Sequence, residues 1–414
     1  MNIKSILLGS AAALVAVSGA RAADAVVMVE PEPVEYVRVC DVYGTGFFYI
    51  PGTETCLKIG GYVRMRLETT GKVSDDADFL DASNLDGSEG YDFHSRVRAR
   101  LNFDVREETE LGTLRAYARV QATNTSFNNR GYGTEGNGYI MDQAYIQLGG
   151  LTMGKLDSLW AERDGLFTDN DWSVGDISVN RISYTYAANG FTAAASLEDD
   201  GDGDFMPDIV AQLAYEGAWG GAYISGVYDE DAYSGSFYTT NVGINSFYFL
   251  DEYNFDDASD GAFALKAGIE LKDLLAAGSM FKIEGHYAFD PTEYASLEPG
   301  GYLGGANRLA TPSEWQVGAA YQQTFGKFTG IVSGVYGELF DSNLFLDTLD
   351  SGLLVDTVVG LDGGEYWGVA ANLGYQVTSN FAVSAEVSYR DIDSDAGIND
   401  ADQTFGYVEF IRTF

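Results

Sequence analysis

The sequence predicts an all-β protein: a transmembrane antiparallel up-and-down β-barrel of about sixteen strands, with long external loops and short periplasmic turns. Three observations predict it. Hydrophobicity alternates with period two over segments that reach the roughly 9–11 residues a strand needs to cross an outer membrane. The chain holds 50 Gly, 27 Tyr and 24 Phe but only 7 Pro, a balance that suits many strands joined by turns. After the first residues, no stretch is apolar for long enough to make a spanning helix, so this chain can enter a membrane only as a closed barrel.

Residues 1–22 read as a secretory signal. Lys4 supplies the positive start, Ile6 to Val17 the apolar stretch, and Ala20-Arg21-Ala22 a small-x-small cleavage site. The apolar stretch falls short of the ~20 residues of a spanning anchor, the alternative reading. Residues 23–56 form a periplasmic lead, extended around Pro31 and Pro33, and residues 57–414 form the barrel. The mature region carries two cysteines, Cys40 and Cys56. Export favours a disulfide between them over two buried thiols, closing a loop worth ~3 kcal/mol.

Charge narrows the class further. With 62 acidic and 24 basic residues the net charge is −38, which argues against nucleic acid as a partner. At 46% hydrophobic residues the chain is not a disordered acidic tail. The expected surroundings are outer-membrane lipid and lipopolysaccharide, where divalent cations bridge anionic groups. Neither a cofactor nor a metal is expected.

The strands follow in order. From Leu57 to Glu68, Leu57, Ile59, Val63, Met65 and Leu67 fall on one face, and Lys58, Tyr62, Arg64, Arg66 and Glu68 on the other. The second segment sets Phe93, Val97, Ala99, Leu101 and Phe103 against His94, Arg96, Arg98, Arg100 and Asn102. The third sets Leu114, Ala116, Ala118 and Val120 against Arg115, Tyr117, Arg119 and Gln121. On a helix these arginines would scatter around the axis; on strands they form a row. Strand-like segments span 57–68, 92–107, 112–123, 139–148, 151–156, 177–186, 191–198 and 208–216. They continue at 221–228, 261–272, 280–289, 314–325, 328–340, 364–377, 380–391 and 402–414. Connections alternate between short turns and mostly longer loops rich in Asp, Gly, Ser and Asn, and an even strand count puts both termini on the short-turn side.

From Val39 the chain reads VCDVYGTGFFYIPGTETCLKIGGYVRMRLE. This segment resembles the start of mature alphaproteobacterial general porins, and the terminal Phe414 with Val408 and Phe410 extends the likeness to the last strand. Arg412 departs from the apolar alternation of such final strands and can snorkel toward water at a membrane edge. The resemblance implies a sixteen-stranded, homotrimeric, passive diffusion pore for small hydrophilic solutes and ions, with one long loop folded into the lumen. A substrate-specific channel, for example for sugars, is the alternative. It calls for an aromatic track, and the inward Tyr62 and Tyr117 alone are not one.

Two groups of residues are candidates for the pore's chemistry. Arg64, Arg66, Arg96, Arg98, Arg100, Arg115 and Arg119 fall on the polar faces of the first three strands. Facing lipid, each would cost about 2–4 kcal/mol at mid-depth, so they face the lumen. They either form the basic wall of a constriction or are ordinary lumen residues paired with nearby carboxylates. Opposite them, Asp157, Glu162, Asp164, Asp169, Asp171 and Asp176 lie in a segment that also carries Leu159, Trp160, Leu166, Phe167 and Trp172. That is too apolar to wave in water. The segment sits where the family's inward loop sits, so its acids are expected to face the arginines; packing on a neighbouring external loop is the alternative. Asp199, Asp200, Asp202, Asp204 and Asp208 match a calcium loop poorly, since Phe205 stands where Gly is needed, and read as a solvated turn. His94 and His286 read as pore-lining residues, and no nucleophile, base and acid set points to catalysis.

Overall fold

The computed structural model describes residues 38–71, 91–126, 132–133, 139–172, 174–199, 201, 205–230, 241–243, 246–255, 261–297, 311–350, 353–361, 363–393 and 401–414. The segment read as a signal lies outside them, as do Asp200, Asp202 and Asp204.

Sixteen long strands build one barrel. They are β1 (Cys56–Gly71), β2 (Tyr91–Thr109), β3 (Gly112–Ser126), β4 (Ile140–Leu148), β5 (Leu151–Asp157), β6 (Ser178–Ala188), β7 (Phe191–Asp199) and β8 (Asp208–Gly217). Then come β9 (Gly220–Asp229), β10 (Ala262–Lys272), β11 (Ser279–Ala288), β12 (Thr311–Phe325), β13 (Phe328–Leu339), β14 (Glu365–Thr378), β15 (Phe381–Asp393) and β16 (Ala401–Thr413). Each strand pairs antiparallel with the next, and β1 pairs with β16, Met65 opposite Phe410, so the barrel has no open edge. All sixteen segments expected from the alternation are present, with ends within about three residues.

The faces also sort as the alternation requires. Val63, Met65, Val97, Ile182, Leu213 and Val332 are exposed on the outside, while Arg66, Ser196, Gln212 and Lys266 are buried on the inside. A water-soluble protein would have this reversed; here the outer apolar band is the surface that meets lipid. Exposed Tyr184, Tyr186, Trp219, Tyr228, Tyr287, Tyr336 and Trp367 add interfacial aromatics on strands from β6 to β14 and in the β8–β9 turn. Arg412 is exposed at the short-turn end, paired across to Val63 and Phe381, a rim position from which it reaches water.

Two external loops do more than the alternation suggested. Asn241–Gly243 and Ser246–Phe255, from the connection between β9 and β10, pair with Ser342–Asp350 and Leu353–Leu361, from the connection between β13 and β14. They form a separate four-stranded antiparallel sheet. At the opposite end, the lead is tied by the Cys40–Cys56 disulfide, Cα–Cα 6.0 Å, with Phe48 and Tyr49 paired to the start of β1.

Candidate functional site

The arginine wall is set by strand register. Across β1 and β2, Arg64 lies opposite Arg98, Arg66 opposite Arg96 and Tyr62 opposite Arg100. Across β2 and β3, Arg98 meets Thr123, Arg100 meets Gln121 and Asn102 meets Arg119. Like charges directly opposite repel, so carboxylates are needed between them. Glu409 on β16 accepts from Arg66 Nε at 2.5 Å and lies 3.5 Å from Arg64. Buried Glu68 serves Arg96 at 3.3 Å and His94 at 2.6 Å. Asp142 on β4 pairs with Arg119 and lies 3.4 Å from Arg100. Arg98 bonds only to Thr123, at 3.0 Å, and no carboxylate lies within ion-pair distance of it among the described residues. Glu409 is shared by Arg64 and Arg66 and Asp142 by Arg100 and Arg119, so the wall as a whole keeps positive charge. Arg115 lies nearer the short turns, forked onto Asp104.

The segment 158–177 leaves the wall after β5 and runs inside the barrel. Leu159 and Trp160 pack with Val210, Val227, Ala264 and Ala288 on the inner faces of β8 to β11. Leu166, Trp172 and Val174 pack with Ala320, Val335, Tyr366 and Ile392 on β12 to β15. Gly318 makes room: a Cβ there would sit 2.6 Å from Leu166. At Gly175, φ is +72° and a Cβ would sit 2.1 Å from the Tyr294 carbonyl oxygen, so only Gly fits the loop's return. Arg163, Phe167 and Trp172 also hold positive φ, at a cost of about 1 kcal/mol or more each, so the wall must hold them there.

That hold is polar. Glu198 accepts from Ser158 Oγ at 2.6 Å and from the Leu159 N–H at 2.9 Å. Glu284 accepts from the Gly165 N–H at 2.9 Å. Glu386 accepts from the N–H groups of Asp169 and Asn170 at 3.1 and 2.9 Å. In return, Gln212, Lys282 and Gln316 donate to loop carbonyls of Leu159, Glu162, Arg163, Gly165 and Trp172. A loop buried away from bulk water has to pair its backbone in this way.

The loop acids do different things. Asp169, at the tip, makes a two-pronged bond to Arg66, 2.6 and 3.0 Å, and joins the loop to the arginine wall. Burial alone would raise its carboxyl, but Arg66 outweighs that and holds it below the ordinary range. Asp164 turns back to the barrel wall, 2.9 Å from Lys266, and burial pushes it up to about 6 despite that partner. Asp176 is also raised, by burial and then by Asp157. Glu162 pairs with Arg181, Asp157 accepts from Gln143 and Ser178, and Asp171 accepts from the Leu166 N–H inside the loop. Of the six acids expected to face the arginines, Asp169 bonds to a wall arginine, Arg66. Glu162 and Asp164 are paired instead by Arg181 and Lys266, on β6 and β10, far from the first three strands in sequence. Beside the loop tip and Asp169 lies a space of about 700 Å³, bordered by Arg64 and Arg66 of β1 and by Asn372, Glu386 and Glu409 on β14 to β16.

Residues 24–408 match the family model described as a porin subfamily. The chain belongs to this porin family. It is 45% identical over 255 residues to porin Omp2b of Brucella canis and 44% identical to that of Brucella suis biovar 1, spanning 56% of this chain and 67% of each relative. Among solved structures it is similar to the outer membrane channel DcaP of Acinetobacter baumannii, TM-score 0.58 at 14% identity, covering 88% of this chain and 99% of that one. It is also similar to an anion-selective porin from Comamonas acidovorans, TM-score 0.51 at 10% identity, covering 87% and 100%. The porin is therefore an outer-membrane diffusion pore, and the family, barrel and pore expected from the Val39 segment are borne out.

Several residues that shape this porin's lumen were missed in the sequence. Glu198, Glu284 and Glu386 were each readable as inward strand positions, but nothing in one sequence marks them as anchors for a distant loop. His286 is buried behind the loop rather than lining the pore, its Nε2 3.4 Å from the Ser313 carbonyl. Asp208 belongs to no solvated turn: it is buried and accepts from Tyr294 OH at 2.8 Å and from the Glu230 N–H at 3.0 Å. Asp199 keeps a turn role, accepting from the Gly201 N–H. No group of metal ligands is present among the described residues.

Proposed function

We propose that the space beside the loop tip, bordered by Arg64 and Arg66 at the edge of the arginine wall, is the constriction that sorts solutes in a general, passive pore. Arg64, Arg66, Arg96, Arg98, Arg100 and Arg119 supply its basic side. Asp169 supplies the facing acid, with Asp157, Glu162, Asp164, Asp171 and Asp176 setting the charge of the loop behind it. The observation that carries this reading is the Arg66–Asp169 clasp, which fixes the loop tip against the wall and leaves a charged opening beside it. The solutes it suits are small and hydrophilic, and the working partners are outer-membrane lipid and lipopolysaccharide. No catalytic chemistry is proposed for it. Residues 1–22 are read as a removed signal and 23–56 as a lead on the periplasmic side.

A homotrimer is part of the proposal. A structure of OmpT of Vibrio cholerae, TM-score 0.51, is described as a trimer form. On this chain the exposed large apolar side chains on the outside of β1–β3 are Ile59, Val63, Met65, Phe93, Val97 and Leu114, with no Tyr or Trp among the described side chains. That smooth apolar face suits a second barrel better than a lipid headgroup belt does. Swelling of proteoliposomes in isotonic sugar solutions tests the pore. Uptake should fall steeply with solute size and not saturate. Saturable uptake of one sugar alone would contradict a general pore. Migration as a heat-dissociable trimer in mild detergent is expected.

A further inference from the structure

The short-turn end of the lumen holds a second charged cluster, away from the constriction. Register places Asp104 opposite Tyr117 and Tyr117 opposite Tyr145, with Arg106 opposite Arg115 one inward step below. Asp104 takes both arginines at once: Arg106 at 2.9 and 2.8 Å, Arg115 at 2.9 and 2.9 Å. One carboxylate therefore orients two guanidinium groups and leaves a net positive charge. In each, Nε and one terminal nitrogen are used on Asp104. The other terminal nitrogen makes no hydrogen bond among the described residues, and the side chains keep 27% and 23% exposure. Beside them Tyr117 and Tyr145 stack, ring centroids 5.1 Å apart, with the Arg115 guanidinium 5.0 and 5.3 Å from the two rings. Phe47, from the disulfide-closed lead, packs under Arg106 at 5.2 Å and Lys58 at 5.7 Å.

We propose that this cluster is a solute-binding site for small organic anions that carry a flat ring, such as aryl carboxylates. The arrangement has the three features such a ligand needs. Guanidinium groups already held flat by Asp104 offer spare N–H donors to a carboxylate, and lose little freedom on binding. A second positive charge, Lys58, stands across from Asp104 in the register. The Tyr117–Tyr145 pair offers an aromatic surface alongside the donors. Simple holding of the lead to the barrel explains Phe47 but not the Tyr117–Tyr145 stack, which is built from β3 and β4 alone. The site rests on the lumen being open to solutes at the short-turn end, and it lies beyond the constriction that sorts them.

Benzoate and acetate are the probes, titrated calorimetrically into the refolded full-length protein in detergent, at low salt. Benzoate should bind at least about tenfold more tightly than acetate, a gap of ~1.4 kcal/mol. Arg115→Gln should weaken both at least tenfold, and Tyr117→Leu should bring benzoate down to the acetate level while leaving acetate unchanged. Each variant is first shown to fold by its heat-modifiable migration. Binding of benzoate that survives Arg115→Gln, or that is lost with Arg98→Gln instead, would overturn the assignment. Because binding is read without conductance, a barrel that conducts but does not bind benzoate sinks this site alone. A barrel that binds benzoate yet passes no current sinks the pore reading alone.

Discussion

At the scale of single residues, the wall's arginines are not equivalent. Arg66 is saturated by Asp169 and Glu409, Arg96 by Glu68, and Arg119 by Asp142, so their charges are largely cancelled within a few ångströms. Arg98 bonds to Thr123 and has no carboxylate within ion-pair distance among the described residues. Arg98→Gln should therefore shift the zero-current potential toward cations more than Arg66→Gln does, measured in a salt gradient. An equal shift would show that local pairing does not decide selectivity. The two loop acids differ in the same way. Asp169 is held low by Arg66, so the stability it contributes is complete above the ordinary carboxylate range and is lost only as pH falls below it. Asp164 is pushed up to about 6, so the folded protein binds its proton more tightly than the unfolded chain does. Its cost to stability is full above about pH 6 and fades as pH falls through that value toward the ordinary range. Between pH 7 and 5 the constriction should change charge through Asp164 and not through Asp169. Conductance titrated over that window should change in the native protein and flatten in Asp164→Asn.

At the scale of elements, the inward loop behaves as a bolted beam. Glu386 alone receives two backbone N–H groups of the loop tip and the side-chain amide of Asn170. Glu386→Ala would leave those donors buried and unpaired, at about 1–3 kcal/mol each where water cannot replace the carboxylate. The tip should loosen, and single-channel recordings should show larger current noise at unchanged barrel integrity. Quiet recordings from this variant would mean that the Arg66–Asp169 clasp suffices. Gly175→Ala should disturb the other end of the loop, because its Cβ has no room beside Tyr294. The strands were legible in the sequence because one face meets lipid, and lipid tolerates no charge there: Val63 and Arg64 cannot trade places. The loop was legible as a packed element from Trp160, Leu166 and Trp172. Its anchors were not, because Glu198, Glu284 and Glu386 look like any other inward polar residue until the fold brings them to the loop. The Ser246–Phe255 and Ser342–Asp350 pairing was illegible for a related reason. It joins segments far apart in the chain, and no local pattern specifies a partner at that distance.

At the scale of the whole molecule, closure carries the stability. The barrel is sealed by β1 and β16 through a ladder from Tyr62↔Thr413 to Thr70↔Phe405, and it has no edge to fray. The Cys40–Cys56 disulfide lies outside that ladder and closes a loop of 16 residues, so its removal should cost ~3 kcal/mol at most and leave the barrel standing. Cys40→Ser with Cys56→Ser should lower the temperature at which the folded form dissociates in detergent while keeping its conductance step. Loss of the step would mean that the lead shapes the pore itself. The central claim is an open aqueous channel narrowed by a fixed, charged loop. Single-channel recording of the refolded protein in a planar bilayer under a salt gradient tests it most directly. Large, stable steps, grouped in threes, are expected, with a zero-current potential that moves when Arg98 is neutralised. A correctly folded barrel that shows no steps would contradict it.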